Sequence, residues 1–522
     1  MNKNLIFAIL IGILFLISGC IGLSEKPFAM NTTFTNNIGN EKSILPISSS
    51  NETSALEKSG LFGSILAYNI NDAAMNAMIV KNIQNGWSEF RKDTVSYQAL
   101  KNSIGLVSQE RAALIKKADF SVDKEIAAYF TWNVIEPEKG QYDWELTDLV
   151  VQAAGESGIE LTAVVQPFTV WDQKNIQATS ECKALDFAYY DYKAGTPNDW
   201  SEYENFLTKL VERYKGRVTY WEIGNEVEGN CGGFENNAKD YVKLLKISFE
   251  TIKKADPQAK VLNGGALEVV GIREAVANKN FWKKFFELDG LQYLDYFNLH
   301  YNAERSAGGG ANLDSASFLD NLNFFNDLME KNGGRKPFWI TEFGTYSGTP
   351  SPRSSFQAPV ESQASFQQPY QQGEPTQNKM GFLTQSQEFQ AAWYFRNSVI
   401  GFANGANRIF IDFIGRDNDV IGSSAAFSLE GTPRSFVTTL RTIASKISGF
   451  SKAEKIAEGQ YKFTVDGKPI YALWFGTLPS EISGNVRVSD MFGVDDMINA
   501  SEISLQPEHP VFVEFISTSV PS

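Results

Sequence analysis

The sequence predicts a (β/α)₈ barrel followed by a small antiparallel β domain, and three observations support this fold class. Eight strand-like segments alternate with helical segments between about residue 103 and residue 446. These strands are apolar along most of their length, as in parallel sheets covered on both faces. After about residue 447, apolar positions alternate with period two between turn residues. A doubly wound open sheet is the alternative, but eight regular units favour a closed barrel.

Each predicted barrel strand is followed by a segment with helical periodicity. The first seven of these helical segments include SQERAALIKKA, WELTDLVVQAAGESG and DYVKLLKISFETIKKA, and the eighth is RSFVTTLRTIASKISG. The predicted strands are SIGLV (103–107), EIAAYFTW (125–132), ELTAVVQPF (160–168), VTYWEIGNE (218–226), AKVLNGGA (259–266), LDYFNLHYN (294–302), KPFWITEFG (336–344) and ANRIFIDFIG (406–415).

The N-terminal residues are predicted to lie outside the barrel. Lys3 precedes a thirteen-residue apolar run, Leu5 to Ile17, which is short of the ~20 residues of a spanning helix and is typical of a signal peptide over residues 1–19. The letters ISGC resemble the lipobox of prokaryotic lipoproteins, which implies lipidation of Cys20 and anchoring to the outer face of the cell membrane. A plain secretory peptide is the alternative.

Domain boundaries follow from composition. Residues 20–60 are rich in Ser, Asn and Thr and are predicted to form a flexible tether. The barrel is expected over residues 61–446, with residues 61–102 as an N-terminal helical preamble. The antiparallel β domain is expected over residues 447–522, where it would pack against the barrel.

Charge and cysteine content restrict the partners. The formal net charge of −14 disfavours nucleic acid and suits a neutral or cationic ligand. Once Cys20 is set aside, Cys182 and Cys231 form an even pair suited to a disulfide in an exported protein, with two buried thiols as the alternative. The chain has two histidines, too few for a usual zinc site, and neither a metal nor a cofactor is expected. The oligomeric state is left open.

Polar residues end three of the predicted strands, where a barrel carries its chemistry. Asn225 and Glu226 end the fourth strand, His300 and Tyr301 lie at the end of the sixth, and Glu342 lies in WITEFG of the seventh. The two glutamates are therefore expected at the same face of the barrel. The alternative for Glu226 is a solvent-exposed loop residue, and the alternative for His300 is a hydrogen-bonded core histidine.

These residues carry a resemblance to a known group of enzymes. The motifs EIGNE and ITEFG, together with FTWNVIEPEKGQYDWELTDLVVQAAGESGIEL, resemble clan A of the glycoside hydrolases, including its β-xylosidase and β-galactosidase families. The resemblance covers about residues 103–446. It implies a retaining double displacement on a neutral oligo- or polysaccharide, with Glu342 as nucleophile and Glu226 as acid and then base.

The resemblance also implies supporting roles for neighbouring residues. Asn225 would bind the sugar hydroxyl next to the anomeric carbon, and Tyr301 or His300 would donate a hydrogen bond to Glu342. Trp132 and Trp171 would offer ring faces to sugars. Two further functions stay open: a carbohydrate-binding surface lipoprotein without turnover, and a transglycosylase that uses the same glutamates.

Overall fold

The barrel consists of eight parallel strands with a helix after each strand. The computed structural model describes residues 60–65, 88–125, 128–173, 196–229, 232–272, 274–303, 316–345, 347, 385–411, 413–417 and 425–516. Its barrel strands β1 to β8 are Phe62–Ile65, Val122–Glu125, Glu160–Val165, Tyr220–Ile223, Lys260–Asn263, Phe297–Asn302, Phe338–Gly344 and Ala406–Ile411. They are hydrogen-bonded in the order β5-β4-β3-β2-β1-β8-β7-β6. The predicted fold class is confirmed.

The barrel closes between β5 and β6 partly through side chains. Parallel bridges join Leu262 to Tyr296 and Ala266 to Leu299. The Asn298 amide donates to Asn263 Oδ1 at 2.7 Å, and Asn263 Nδ2 donates to the Asn298 carbonyl oxygen at 2.7 Å. These side-chain amides satisfy backbone groups at the seam between the first and last strands of the sheet order.

The described helices cover the outside of the barrel. They are numbered α1 to α10 in chain order, and the short helices α2 and α4 lie in the loops after β2 and β3. Their bounds are Thr94–Ala118, Trp132–Ile135, Glu145–Glu156, Val170–Gln173, Trp200–Tyr214, Ala238–Ala255, Ala275–Glu287, Ala316–Lys331, Gln387–Ala403 and Ser435–Ile447.

The first two predicted strands were wrong. The segment SIGLV lies inside α1, and the first strand is Phe62–Ile65, within the segment predicted to be a preamble. Spacings of three and four residues separate the buried positions of α1, which indicates a helix. These buried positions include Tyr97, Leu100, Ile104, Val107, Arg111, Leu114 and Ala118.

The second strand, β2, reads VDKE and ends where the predicted strand began. Three of its four residues are charged, although all four are buried. The sequence therefore did not indicate a buried strand, because buried charges are stable only beside partners that compensate them. Arg111 on α1 provides two of these contacts, with Nε 3.0 Å from Asp123 Oδ2 and Nη2 2.9 Å from Glu125 Oε2. Lys124 points in the opposite direction, into the barrel.

An apolar layer fills the barrel at the amino-terminal ends of the strands. Its core contains the Tyr220 and Trp339 rings, whose centroids lie 4.6 Å apart. The Arg408 guanidinium lies 4.8 Å from the Trp339 ring centroid. The layer consists of Val122, Tyr220, Leu262, Tyr296, Trp339 and Phe410. It closes the barrel below the polar residues described in the next subsection.

The C-terminal residues form the expected antiparallel sheet. Strands β9 (Phe413–Asp417) and β10 (Ala425–Ser428) form a separate parallel pair that precedes it. The sheet order is β11-β12-β13-β16-β14-β15. Phe512 of this sheet packs on Phe395 of α9, with ring centroids 4.8 Å apart. Strands β11 to β16 are Lys452–Ala457, Gln460–Val465, Lys468–Leu473, Asn485–Asp490, Asp495–Asn499 and Val511–Phe515.

A buried glutamate fastens the loop after β4 to the neighbouring part of the barrel. The side-chain oxygen Oε1 of Glu228 accepts hydrogen bonds from the Leu267 amide and from the Trp282 indole, so it joins this loop to the loop after β5 and to α7. Burial raises the pKa of Glu228 to about 8, although both hydrogen bonds oppose the rise. The carboxyl group is therefore protonated at neutral pH.

Glu228→Gln should remove a pH-dependent loss of stability. The carboxyl pKa is about 4.5 in the unfolded chain and about 8 in the folded protein. Between these values the unfolded state binds fewer protons, so this group lowers the free energy of unfolding by about 1.4 kcal/mol per pH unit as pH rises. The difference in free energy of unfolding, variant minus wild type, should therefore be more positive at pH 8 than at pH 5. Urea unfolding midpoints at the two pH values measure this difference.

The matched control is Glu212→Gln, which changes an exposed glutamate on α5. Its stability should follow the wild-type pH dependence. Parallel curves for Glu228→Gln and the wild type would contradict a protonated Glu228.

Candidate active site

A sharp backbone turn places Asn225 and Glu226 at the carboxyl end of β4. Gly224 has φ +79°, and a Cβ there would lie 2.6 Å from Val227 Cγ1, so only glycine fits. Glu226 itself has φ +46°, which a side-chain-bearing residue adopts only when its surroundings impose it. Gly232 packs against this turn, since a Cβ there would lie 1.9 Å from the Glu226 carbonyl oxygen.

A β-bulge in β7 turns two consecutive side chains into the barrel. The pairing between β6 and β7 shifts from Leu299–Ile340 to His300–Glu342, which leaves Thr341 as the extra residue. The Thr341 hydroxyl donates to Asn298 Oδ1 at 2.7 Å, inside the barrel. Glu342 therefore also points inward, where regular alternation would place it on the outside.

His300 lies between the two glutamates. Its Nδ1 is 3.2 Å from Glu226 Oε1 and 3.6 Å from Glu342 Oε2. One side-chain nitrogen or oxygen atom from each of the three residues lies within 4.8 Å of the other two. The Glu226 side chain is 12% exposed and that of Glu342 is 2% exposed. Glu226 is thus the more accessible of the two carboxyl groups.

The loop after β5 leaves room for the His300 ring. A Cβ on Gly265 would lie 1.9 Å from His300 Nε2, and the His300 amide donates to the Ala266 carbonyl oxygen at 2.8 Å. Any side chain at position 265 would displace the imidazole. The position of the histidine therefore depends on a glycine as well as on its own strand.

Lys124 is the central residue of the site that the sequence analysis missed. Its side chain is fully buried, and its Nζ lies 3.0 Å from Glu222 Oε1 and 3.4 Å from Glu342 Oε1. Asn225 Oδ1 lies 3.3 Å from the same atom. Because β2 was predicted too late in the chain, no signal placed this lysine inside the barrel. A buried strand with three consecutive charged residues can be recognised only together with the partners that compensate those charges.

Glu222 is a third carboxyl group beneath the two predicted ones. Burial raises the pKa of Glu222 to about 7, and the Lys124 ammonium opposes this rise. Two carboxyl groups, those of Glu222 and Glu342, thus lie within 3.4 Å of one ammonium group. Glu226, His300 and Glu342 have ligand-type atoms close together, but the ammonium lies 3.1 Å from His300 Nε2 and 3.4 Å from Glu342 Oε1, and it would repel a metal cation there.

Tyr301 was predicted, as an alternative to His300, to donate a hydrogen bond to Glu342, but its side chain packs against α8. Successive side chains of a strand point to opposite faces, so Tyr301 points away from the barrel interior. Its ring centroid lies 4.6 Å from that of Phe318 on α8, and its hydroxyl oxygen lies 3.1 Å from Ser317 Oγ. Of the two residues predicted for this role, His300 is the one whose ring lies near Glu342, with Nδ1 3.6 Å from Oε2.

The two predicted sugar-binding tryptophans have different positions. Trp132 is fully buried, its indole donates to Glu136 Oε2 at 2.7 Å, and its ring stacks on Phe206 with centroids 5.5 Å apart. Trp132 therefore offers no ring face to a sugar, which contradicts its predicted role. Trp171 is partly exposed at the start of the loop after β3, and its indole donates to the Glu136 carbonyl oxygen at 2.8 Å.

Several predicted features lie outside the described residues. Cys20, Cys182 and Cys231 are among them, so lipidation and the disulfide stay predictions. The same holds for the signal peptide. Within the described part of the chain, no helix has the length and apolar character needed to cross a membrane.

Comparisons of sequence connect the chain to glycoside hydrolases. The model of the glycoside hydrolase 42 family, described as β-galactosidase, matches residues 106–260. β-Galactosidase LacA of Lactobacillus acidophilus is 28% identical over 158 residues, which is 27% of this chain and 22% of that protein. Endo-1,4-β-xylanase A of Halalkalibacterium halodurans is 26% identical over 184 residues, 32% of this chain and 44% of that protein. The chain thus spans less than half the length of these relatives.

Solved structures share the fold. A family 39 glycoside hydrolase from Bacteroides cellulosilyticus WH2 is similar with a TM-score of 0.52 and 18% identity, covering 78% of each chain. A monomeric β-xylosidase from Caulobacter crescentus CB15 is similar with a TM-score of 0.50 and 11% identity, covering 88% of this chain and 97% of that one. The barrel fold, the motifs that end β4 and β7, and these similarities of sequence and structure all make the chain similar to the glycoside hydrolases of clan A.

Proposed function

We propose that the protein is a retaining glycoside hydrolase that cleaves β-linked neutral sugars with Glu342 and Glu226. One observation carries the proposal: two carboxyl groups follow different strands at the same end of the barrel and approach within 4.8 Å. Retaining enzymes separate their carboxyl groups by about 5–5.5 Å, whereas inverting enzymes need about 6.5–9.5 Å to admit a water molecule. The observed spacing supports double displacement.

The surroundings of the two glutamates support different roles for them. Glu342 is nearly inaccessible and lies 3.4 Å from the Lys124 ammonium, which stabilises its ionised form, as a nucleophile requires. Glu226 is more exposed and follows a sharp turn, so it can reach a leaving oxygen that enters from solvent. In the first step, Glu342 bonds to the anomeric carbon as Glu226 gives its proton to the departing oxygen. In the second, Glu226 takes a proton from water, which displaces Glu342.

Asn225 is proposed to bind the sugar hydroxyl beside the anomeric carbon. Its Oδ1 lies 3.3 Å from Lys124 Nζ, which orients the side-chain amide so that Nδ2 is left as a donor toward the substrate. Among the relatives are proteins named β-galactosidase, endo-1,4-β-xylanase and β-xylosidase, which makes β-galactosides and β-xylosides the first substrates to test.

We also propose that the enzyme is anchored outside the cell through Cys20. The apolar run Leu5 to Ile17 and the ISGC motif support this localisation, and the following polar residues would separate the barrel from the membrane.

Glu342→Ala should abolish hydrolysis of the aryl β-glycoside that the wild type cleaves. Azide should restore turnover by entering the space left by the carboxylate, and the product should be the glycosyl azide of inverted configuration. A panel of aryl β-xyloside, glucoside, galactoside and mannoside identifies the sugar, and product NMR reads the configuration. Glu212→Ala, which removes an exposed carboxyl group on α5, should keep wild-type activity. Azide rescue with retained configuration would contradict the assignment of Glu342.

Glu226→Ala should respond differently, because its role is proton transfer. Substrates with acidic phenol leaving groups need little protonation and should still form the glycosyl-enzyme, whereas substrates with poor leaving groups should lose roughly 10²–10⁴-fold in kcat/KM. Azide should accelerate turnover and yield the glycosyl azide of retained configuration. A loss of activity that is independent of the leaving group would contradict the assignment of Glu226.

Cys20→Ser should move the full-length protein from the membrane fraction to the soluble fraction of the producing cells. A single lipid chain adds about 0.8 kcal/mol of membrane affinity per buried methylene, and the substitution removes the attachment site for the acyl chains. Detergent phase partition and immunoblotting would measure the change. Cys182→Ser is the control, and equal partition of Cys20→Ser and the wild type would contradict anchoring at Cys20.

A further inference from the structure

The histidine between the two glutamates has a contact that determines which ring nitrogen carries its proton. Lys124 Nζ lies 3.1 Å from His300 Nε2, and both side chains are buried. A lysine ammonium has three N–H donors and no acceptor. Glu222 Oε1 and Glu342 Oε1 lie 3.0 and 3.4 Å from the same Nζ, so the lysine also faces two carboxyl groups.

An N–H on Nε2 would point at this ammonium and be repelled by it. The Nε2 lone pair, in contrast, accepts a hydrogen bond from the ammonium. The Thr341 hydroxyl oxygen is 3.2 Å from Nε2, but its proton is directed to Asn298 Oδ1 at 2.7 Å, and it also lies 3.2 Å from Lys124 Nζ. Thr341 can therefore accept from the lysine while Nε2 does the same.

The proton of a neutral His300 then belongs on Nδ1. That nitrogen faces Glu226 Oε1 at 3.2 Å and Glu342 Oε2 at 3.6 Å. The first distance is that of a hydrogen bond and the second is slightly longer than one, so a small rotation of the ring would exchange one acceptor for the other. A doubly protonated ring is disfavoured by the same ammonium, which would face a second cation at 3.1 Å.

We propose that Lys124 is a positioning residue that holds His300 in its neutral Nδ1–H tautomer, so that one N–H donor serves both glutamates in turn. The catalytic part of this proposal rests on the proposed function. While Glu226 gives its proton to the leaving oxygen it becomes negative, and Glu342 loses its charge as it bonds to the sugar. The N–H therefore donates to Glu342 before the first step and to Glu226 after it. The imidazole neither gains nor loses a proton in either step.

The groups around His300 and Lys124 come from three strands and two loops. They are Lys124 on β2, Glu222 on β4, Glu226 after β4, and Thr341 and Glu342 on β7, with Gly265 after β5 against the ring. Only Lys124 supplies a positive charge among these named neighbours. Its removal is therefore the substitution that tests the tautomer.

The test can be made directly because the chain has two histidines, His300 and His509. His509 is exposed in the β domain, and His509→Gln assigns its signals without touching the site. In full-length protein labelled with ¹⁵N-histidine, long-range ¹H–¹⁵N correlation distinguishes a protonated ring nitrogen from a bare one. At pH 7 we expect His300 to show a protonated Nδ1 and a bare Nε2. A protonated Nε2 in the wild type, alone or together with Nδ1, would overturn the proposal without any variant.

Lys124→Met supplies the second measurement, since methionine fills similar space without charge. We expect the His300 proton to move to Nε2, where Thr341 accepts it, or the ring to become doubly protonated beside the glutamates. With the N–H donor lost or misdirected, kcat should fall roughly 10²–10⁴-fold, more than KM changes. An Nδ1–H tautomer that persists in a folded Lys124→Met protein would overturn the role of Lys124.

The two proposals fail in distinguishable ways. A wild-type protein that has the Nδ1–H tautomer but cleaves no glycoside supports the tautomer and contradicts the hydrolase function. A changed tautomer in Lys124→Met with unchanged kcat contradicts the catalytic use of the donor. Near-UV circular dichroism of each variant separates these outcomes from a loss of folding.

Discussion

The buried ammonium group of Lys124 is the interaction on which the barrel interior depends. Carboxyl groups from β4 and β7 lie beside the same ammonium group inside a barrel whose lower layer is apolar and mostly aromatic. Like charges at these distances would repel strongly in such a medium, and each would also lose its hydration. One cation placed among them, together with a protonated form of at least one carboxyl group, makes the arrangement stable enough to persist.

The backbone around this cation is irregular at the positions where the side chains must meet. The bulge in β7 brings Thr341 and Glu342 to the same side, and the left-handed turn at Gly224 and Glu226 brings the second glutamate back over the barrel. Such local strain persists only where the surrounding structure imposes it. Close contacts at Gly232 and Gly265, and the hydrogen bonds accepted by buried Glu228, provide that restraint.

The same cation connects stability to the proposed chemistry. The lysine that contacts Glu222, Glu342 and Asn225 also contacts His300, where we propose that it selects the tautomer. All four contacts involve the one ammonium group, so a substitution of Lys124 changes all of them. The aromatic layer beneath contains a separate cation, Arg408, whose guanidinium lies 4.8 Å from the Trp339 ring centroid.

The amino-acid sequence by itself determined the fold class and strands β3 to β8. It also determined that Asn225, Glu226, His300 and Glu342 lie at the carboxyl ends of their strands. These predictions rest on local signals: apolar runs, helical periodicity and polar residues at strand ends. It did not determine β1, β2 or Lys124, because β2 is made of charged residues that can be buried only beside Arg111, Glu222 and Glu342.

The tertiary structure alone decided the directions of side chains. It placed Tyr301 against α8 and Trp132 in the core, while a one-residue bulge turned Glu342 inward. It also brought Lys124 beside a histidine 176 positions later in the chain. No local pattern encodes such a contact, because the energy that permits it comes from groups on four different strands.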